Sequence, residues 1–109
     1  MKNILVTGGS GKAGRATIKL LLEKNYNVYN VDVVNNPELD VPFTKVDLVD
    51  FGDAMEVVSE IDDRINGIDA VIHQAAIPAS GLEANHKTFR ANTLSTYNIF
   101  QASKVMKIN

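Results

Sequence analysis

A glycine cluster, Gly8-Gly9-Ser10-Gly11-Lys12-Ala13-Gly14, stands between the apolar run Ile4-Leu5-Val6-Thr7 and a helical pattern through Ile18, Leu21 and Leu22. No other feature restricts the fold so sharply. A backbone without β-carbons can approach an anion closely, and a helix start adds unpaired N–H groups and about half a unit of positive charge. The spacing Gly8-x-x-Gly11-x-x-Gly14 is one residue longer in its first gap than the G-x-G-x-x-G dinucleotide fingerprint. Glycine turns also join strands to helices with no ligand present, but this rhythm between these two elements favours a phosphate cradle. A P-loop is excluded twice, because Val6 stands where its first glycine belongs and Ala13 where its Mg²⁺-binding hydroxyl belongs.

Composition narrows the class further. The 109 residues, 45% apolar and 22% charged, suit one soluble globular domain. The net charge of −2, with acids and bases interspersed, leaves no basic footprint for nucleic acid or an anionic membrane. There is no cysteine, which excludes a disulfide framework or thiolate metal site and fits a reducing compartment. Only Ile4, Leu5 and Val6 run uninterrupted before Thr7, too few for a signal-peptide core or a membrane span, so a cytoplasmic location is expected. His73 and His86 have no metal-ligand partner at useful spacing.

Apolar runs alternate with helical patterns, the signature of βαβ units around a parallel sheet. Strands are expected at Asn3–Thr7, Asn27–Asp32, Phe43–Val46 and Ala70–Ile72. The last is apolar throughout, as in a strand covered on both faces. Helices are expected at Lys12–Lys24, after an Asp50 N-cap, and from about Ala84 to Lys104. In the middle helix Phe51, Ala54, Met55, Val58 and Ile61 share one face, and Asp62–Gly67 reads as a polar turn. Right-handed crossovers then give an α/β fold, a Rossmann-type doubly wound parallel sheet in its N-terminal half, with strand order 3-2-1-4.

In that topology ligands bind beyond the carboxyl ends of the strands. The glycine loop, Asp32, Asp47 and His73-Gln74-Ala75-Ala76 all fall on such ends. Asp32, 18 residues past Gly14, can accept both hydroxyls of an adenosine ribose and repels a 2′-phosphate. Two unit charges ~4 Å apart cost about 4 kcal/mol at an effective dielectric of ~20, nearly three decades of affinity, so NAD is favoured over NADP. Lys12 and Arg15 weigh the other way, since either could hold a 2′-phosphate; both could equally be solvated. Asp47 could accept from the adenine amine between walls of Val33 and Leu48, or it could simply start a helix. Ala75-Ala76 offers a small-residue floor for ribose and nicotinamide. His73, on a buried strand, reads as a hydrogen-bonded core histidine.

Thr7-Gly8-Gly9-Ser10-Gly11-Lys12-Ala13-Gly14 resembles the T-G-x-x-G-x-x-G pattern of extended short-chain dehydrogenases/reductases, most closely the NAD-dependent epimerase/dehydratase group. The resemblance continues through Asp32, Asp47-Leu48, the V-I-H-x-A-A-like segment Val71–Ala76 and the N-x-x-G-T-x-N-like segment Asn92–Asn98, where Ser95 replaces the usual glycine. It implies NAD bound with Gly8, Gly11 and Gly14 at the pyrophosphate, beside Ser10, Lys12 and Ala13. It implies also that Ala75, Ala76 and Ile77 line the route to nicotinamide, with Asn92 in support. Substrates of such families are nucleotide sugars, sugar acids or related hydroxy/keto compounds.

The family's Tyr-x-x-x-Lys pair is missing from these residues. Tyr26, Tyr29 and Tyr97 are followed four positions on by Asn30, Val33 and Gln101. The expectation is the N-terminal part of a longer enzyme, inactive alone and prone to self-association, possible homodimerisation included, through an uncovered fourth strand and the last helix at Ile99 and Phe100. A non-catalytic dinucleotide sensor is the alternative.

Overall fold

The computed structural model describes residues 2–74 and 85–106. Its sheet consists of β1 (Asn3–Thr7), β2 (Asn27–Asp32), β3 (Phe43–Lys45) and β4 (Ala70–His73) in the order β3-β2-β1-β4. All three pairings are parallel, and Thr7 at the end of β1 stands beside both Val31 and His73. The helices are α1 (Lys12–Glu23), α2 (Phe51–Arg64) and α3 (Asn85–Val105). The strand order is the expected one.

Side chains of a strand alternate between its faces, so β1 feeds two cores at once. Ile4 and Val6 pack with Val28 and Ile18 on the α1 side. Leu5 packs with Val31 and, from α2 and α3, Val57, Val58, Ile61, Ile99 and Ala102 on the other. One helix therefore covers one face of the sheet and two cover the opposite face, which leaves all strand ends open on one edge.

Several expectations need correcting. Residues 62–64 are helical, not a turn: α2 runs to Arg64, and the chain reverses only at Asn66 and Gly67, both with positive φ. Phe51, assigned to the buried face, is exposed, while Val57 is buried in its place. β4 is half-buried along its whole length rather than covered on both faces, because it borders the described sheet and pairs only with β1. Of the α3 residues expected to lack cover, Ile99 is buried in the core and Phe100 is 66% exposed.

Candidate functional site

A cleft of about 800 Å³ opens at the carboxyl ends of the strands. Its floor is the turn from β1 into α1, where Gly8, Ser10, Gly11, Lys12, Ala13 and Gly14 line it. Asp32 and Val33 enter from the end of β2, Asp47 and Leu48 from the segment after β3, and Asn92 from α3. Every described residue expected to touch a cofactor thus meets the others in one place. Ala75, Ala76 and Ile77 lie outside the described residues.

The glycines of the loop are not equivalent. Gly8 sits at φ 71°, a left-handed conformation that a side chain would strain. A β-carbon on Gly14 would stand 2.5 Å from the Gly9 Cα and closer still to the Gly8 carbonyl oxygen, so α1 packs against the loop backbone itself. One on Gly9 would meet Ile18 and Asn30. Gly11 differs, since the nearest atom to an added β-carbon is 3.6 Å away. Gly9, which the three-glycine rhythm passes over, is therefore sterically required, and Gly11 is not. What Gly11 does supply is an N-cap with no side chain, so that nothing caps the first turn of α1.

The loop is stitched to β2. Gly8 N–H donates to the Val31 carbonyl at 2.8 Å, and Gly9 N–H donates to Asn30 Oδ1 at 2.9 Å. Asn30 Nδ2 donates to Ser10 Oγ at 3.1 Å, and Ser10 N–H donates to Asp32 Oδ2 at 3.1 Å. The other Asp32 oxygen accepts from Val33 N–H at 2.7 Å. The carboxylate is thereby held at the rim beside the loop.

Asp47 takes part in a turn, its Oδ1 accepting from Val49 N–H at 3.0 Å, and is exposed to the cleft. Asp50, not Asp47, caps α2, accepting from Asp53 N–H at 2.9 Å. Leu48 is buried, and its carbonyl and that of Val49 accept from Asn98 Nδ2 at 2.8 and 3.0 Å, which ties this wall to α3. Lys12 lines the cleft, whereas Arg15 lies 3.9 Å from Glu38 on the outer surface.

At the fourth strand end, His73 Nδ1 and Thr7 Oγ1 are 2.6 Å apart, and Nε2 is 3.2 Å from Thr96 Oγ1. The imidazole bridges β1 to α3, half-buried rather than in the core but with both ring nitrogens within hydrogen-bond reach of a hydroxyl, and burial lowers its pKa below the ordinary value. Gln74 N–H donates to Thr7 Oγ1, and the Gln74 side-chain amide donates to Thr17 Oγ1 on α1 at 2.9 Å. Among the described residues no group of three metal-ligating side chains comes together, and no helix is long and apolar enough to cross a membrane.

Sequence reasoning missed Asn30, Val34 and Ser95, the last two lining the cleft, while Gln74, picked out at its strand end, lines it as well. For Asn30 a signal existed: a polar residue between Tyr29 and Val31, two positions before Asp32, shares the face of Asp32.

A family model described as the NAD dependent epimerase/dehydratase family matches residues 4–109. The chain is 39% identical to the Bifunctional protein GAL10 of Pachysolen tannophilus over 74% of its length, covering 13% of that protein. It is 33% identical to the UDP-glucose 4-epimerase of Neisseria meningitidis serogroup A over 74% of its length, covering 26% of that protein. Among solved structures, the UDP-glucose 4-epimerase of Thermus thermophilus, a complex with NAD, superposes with a TM-score of 0.82 at 26% identity. That superposition takes in 98% of this chain and 35% of the epimerase. The chain thus spans about a third or less of each of these three proteins.

Proposed function

The chain belongs to the NAD-dependent epimerase/dehydratase family, and from that premise we propose that it is the cofactor-binding part of an enzyme that moves hydride to and from a nucleotide sugar, a sugar acid or a related hydroxy/keto compound. The observation that carries the reading is the meeting of an uncapped helix start with a ribose-ready carboxylate. The first turn of α1 has no side-chain cap and no acidic residue, and it opens on the cleft that Asp32 borders. Its N–H groups and dipole are matched by a ligand anion.

The donor set fits a dinucleotide. Gly8, Ser10, Gly11, Lys12, Ala13 and Gly14 line the cleft, and a β-carbon at Gly14 would push the Gly8 and Gly9 backbone out of the shape that a pyrophosphate approaches. Asp32, already accepting from two backbone N–H groups, keeps lone pairs for ribose hydroxyls and opposes a 2′-phosphate. Val33 and Leu48 form apolar walls for adenine with Asp47 at their edge. The resemblance assigns Ala75, Ala76 and Ile77 to the route toward nicotinamide and Asn92, which lines the cleft, to the support of the site. When bound, NAD supplies the hydride acceptor.

The substrate hydroxyl must lose or gain a proton as hydride moves, and a positioned acid–base group contributes about a hundred- to ten-thousandfold there. None of Tyr26, Tyr29 and Tyr97 has a lysine four residues on, so the proton-transferring group of this proposal belongs to sequence outside these 109 residues. The reading is tested by calorimetric Kd values for NAD⁺ and NADP⁺ at fixed salt. NAD⁺ is expected to bind more tightly, and Asp32→Ala to narrow the preference. Equal affinities in the unmodified protein would remove Asp32 from the ribose, and no binding of either would overturn the proposal.

A further inference from the structure

Asn30 is 1% exposed, on the face of β2 that meets α1. An amide buried among Val6, Ile18 and Val28 is costly unless both ends are satisfied, and here both ends are spent on the glycine loop. Oδ1 accepts from Gly9 N–H at 2.9 Å, and Nδ2 donates to Ser10 Oγ at 3.1 Å. Strand alternation puts Asp32 on the same face, where it takes Ser10 N–H. β2 therefore grips two successive loop residues from beneath.

Building on the dinucleotide reading above, we propose that Asn30 is a positioning residue that presets the glycine loop for pyrophosphate and turns the Ser10 hydroxyl into a donor facing it. Ser10 Oγ accepts from Nδ2, so its own O–H is left to donate, and Ser10 lines the cleft. A phosphate oxygen is an acceptor and needs that polarity. The Gly8–Gly9 peptide, held at the Gly9 N–H by Oδ1, is kept from turning the Gly8 carbonyl into the phosphate path. An apolar residue at position 30 would leave both groups free to turn. An aspartate would keep the shape and the Gly9 bond but draw the Ser10 proton inward and present lone pairs to the anion.

The test compares NAD⁺ with adenosine, which has the same base and ribose but no pyrophosphate. Kd values are measured by calorimetry for the unmodified protein, Asn30→Leu and Asn30→Asp, with folding checked by circular dichroism. Both variants should weaken NAD⁺ about tenfold while adenosine changes less than about twofold. Should Asn30→Leu fail to fold, the near-isosteric Asn30→Asp carries the same comparison. Equal losses for the two ligands would reduce Asn30 to general support of the domain, and an unchanged NAD⁺ affinity would overturn its role. Unmodified protein that binds neither ligand would overturn the dinucleotide reading itself, and the Asn30 proposal with it.

Discussion

Helix α1 starts at Gly11, which carries no side chain to cap its first turn, and the turn contains Lys12 and no acid. Helix α2 starts at Asp50, whose carboxylate accepts from Asp53 N–H at 2.9 Å, and the turn adds Asp53 itself. Both helices pack on the same sheet and both emerge near the same cleft. One satisfies an orphan N–H with its own side chain and adds an acid to the turn; the other has no such cap and places a cation where the dipole disfavours it. A capping side chain is typically worth about 1 kcal/mol, and a charge of the right sign up to about 1 kcal/mol more. α1 forgoes both. The contrast distinguishes a helix start that serves the fold from one that serves a ligand.

Filling the loop should break the open start most severely. Gly14→Val places atoms against the Gly8 and Gly9 backbone, which cannot move aside without opening the turn. NAD⁺ affinity should fall at least about a hundredfold, roughly 3 kcal/mol, in calorimetric titration. An unchanged affinity would make the loop a simple turn.

Giving α1 the device that α2 already has comes next. Position 11 has room, the nearest atom to an added β-carbon being 3.6 Å away, and its backbone is extended as a cap requires. Gly11→Asp should hold or slightly raise the melting temperature while lowering NAD⁺ affinity by about tenfold or more, because the new carboxylate competes for the same N–H groups. A loss of stability with full affinity would erase the contrast between the two helices.

The reverse experiment is Asp50→Ala. It should cost about 1 kcal/mol, read as a drop of roughly 4–8 °C in melting temperature, with NAD⁺ affinity within about twofold of the unmodified protein. A large affinity loss would mean that the α2 start also serves the site.

The smallest effect concerns His73, which belongs to neither helix start. Burial lowers its folded-state pKa below 6.5, so the unfolded chain binds the proton more readily. Its contribution is fully present above the unfolded value of about 6.5 and is lost as pH falls below it toward the folded value. Urea titrations from about pH 7.5 to about pH 5 should show a decline that His73→Asn flattens. An identical decline in the variant would assign it to other groups.

Much of this arrangement is written in local pattern. The bounds of β1 and β2 follow from apolar runs ended by Gly8 and begun at Asn27, and the Asp50 cap follows from its place before a helical period. Asp32, Asp47 and the glycine loop could be brought to one cleft because parallel crossovers put every strand end on one edge. Phe51 and Val57 show where pattern fails. Periodicity assigns an angle around the helix axis but not how far along the axis the covering elements reach. β4 shows a second failure: an apolar strand looks the same whether one neighbour or two will cover it.

The sequence by itself determined that a strand, a glycine turn and an uncapped helix follow one another, and hence that an anion has a place to bind. It also determined which carboxylate lies at the end of the next strand. Only the tertiary structure decided what holds that turn in shape. Asn30 reaches Gly9 across 21 residues, and Asn98 reaches Leu48 across 50. Such bonds form when the pairing of strands or the packing of a helix brings distant backbone within 3 Å of a buried amide. They leave no periodic mark in the chain, because their partners are set by the packing of whole elements and not by neighbours in sequence.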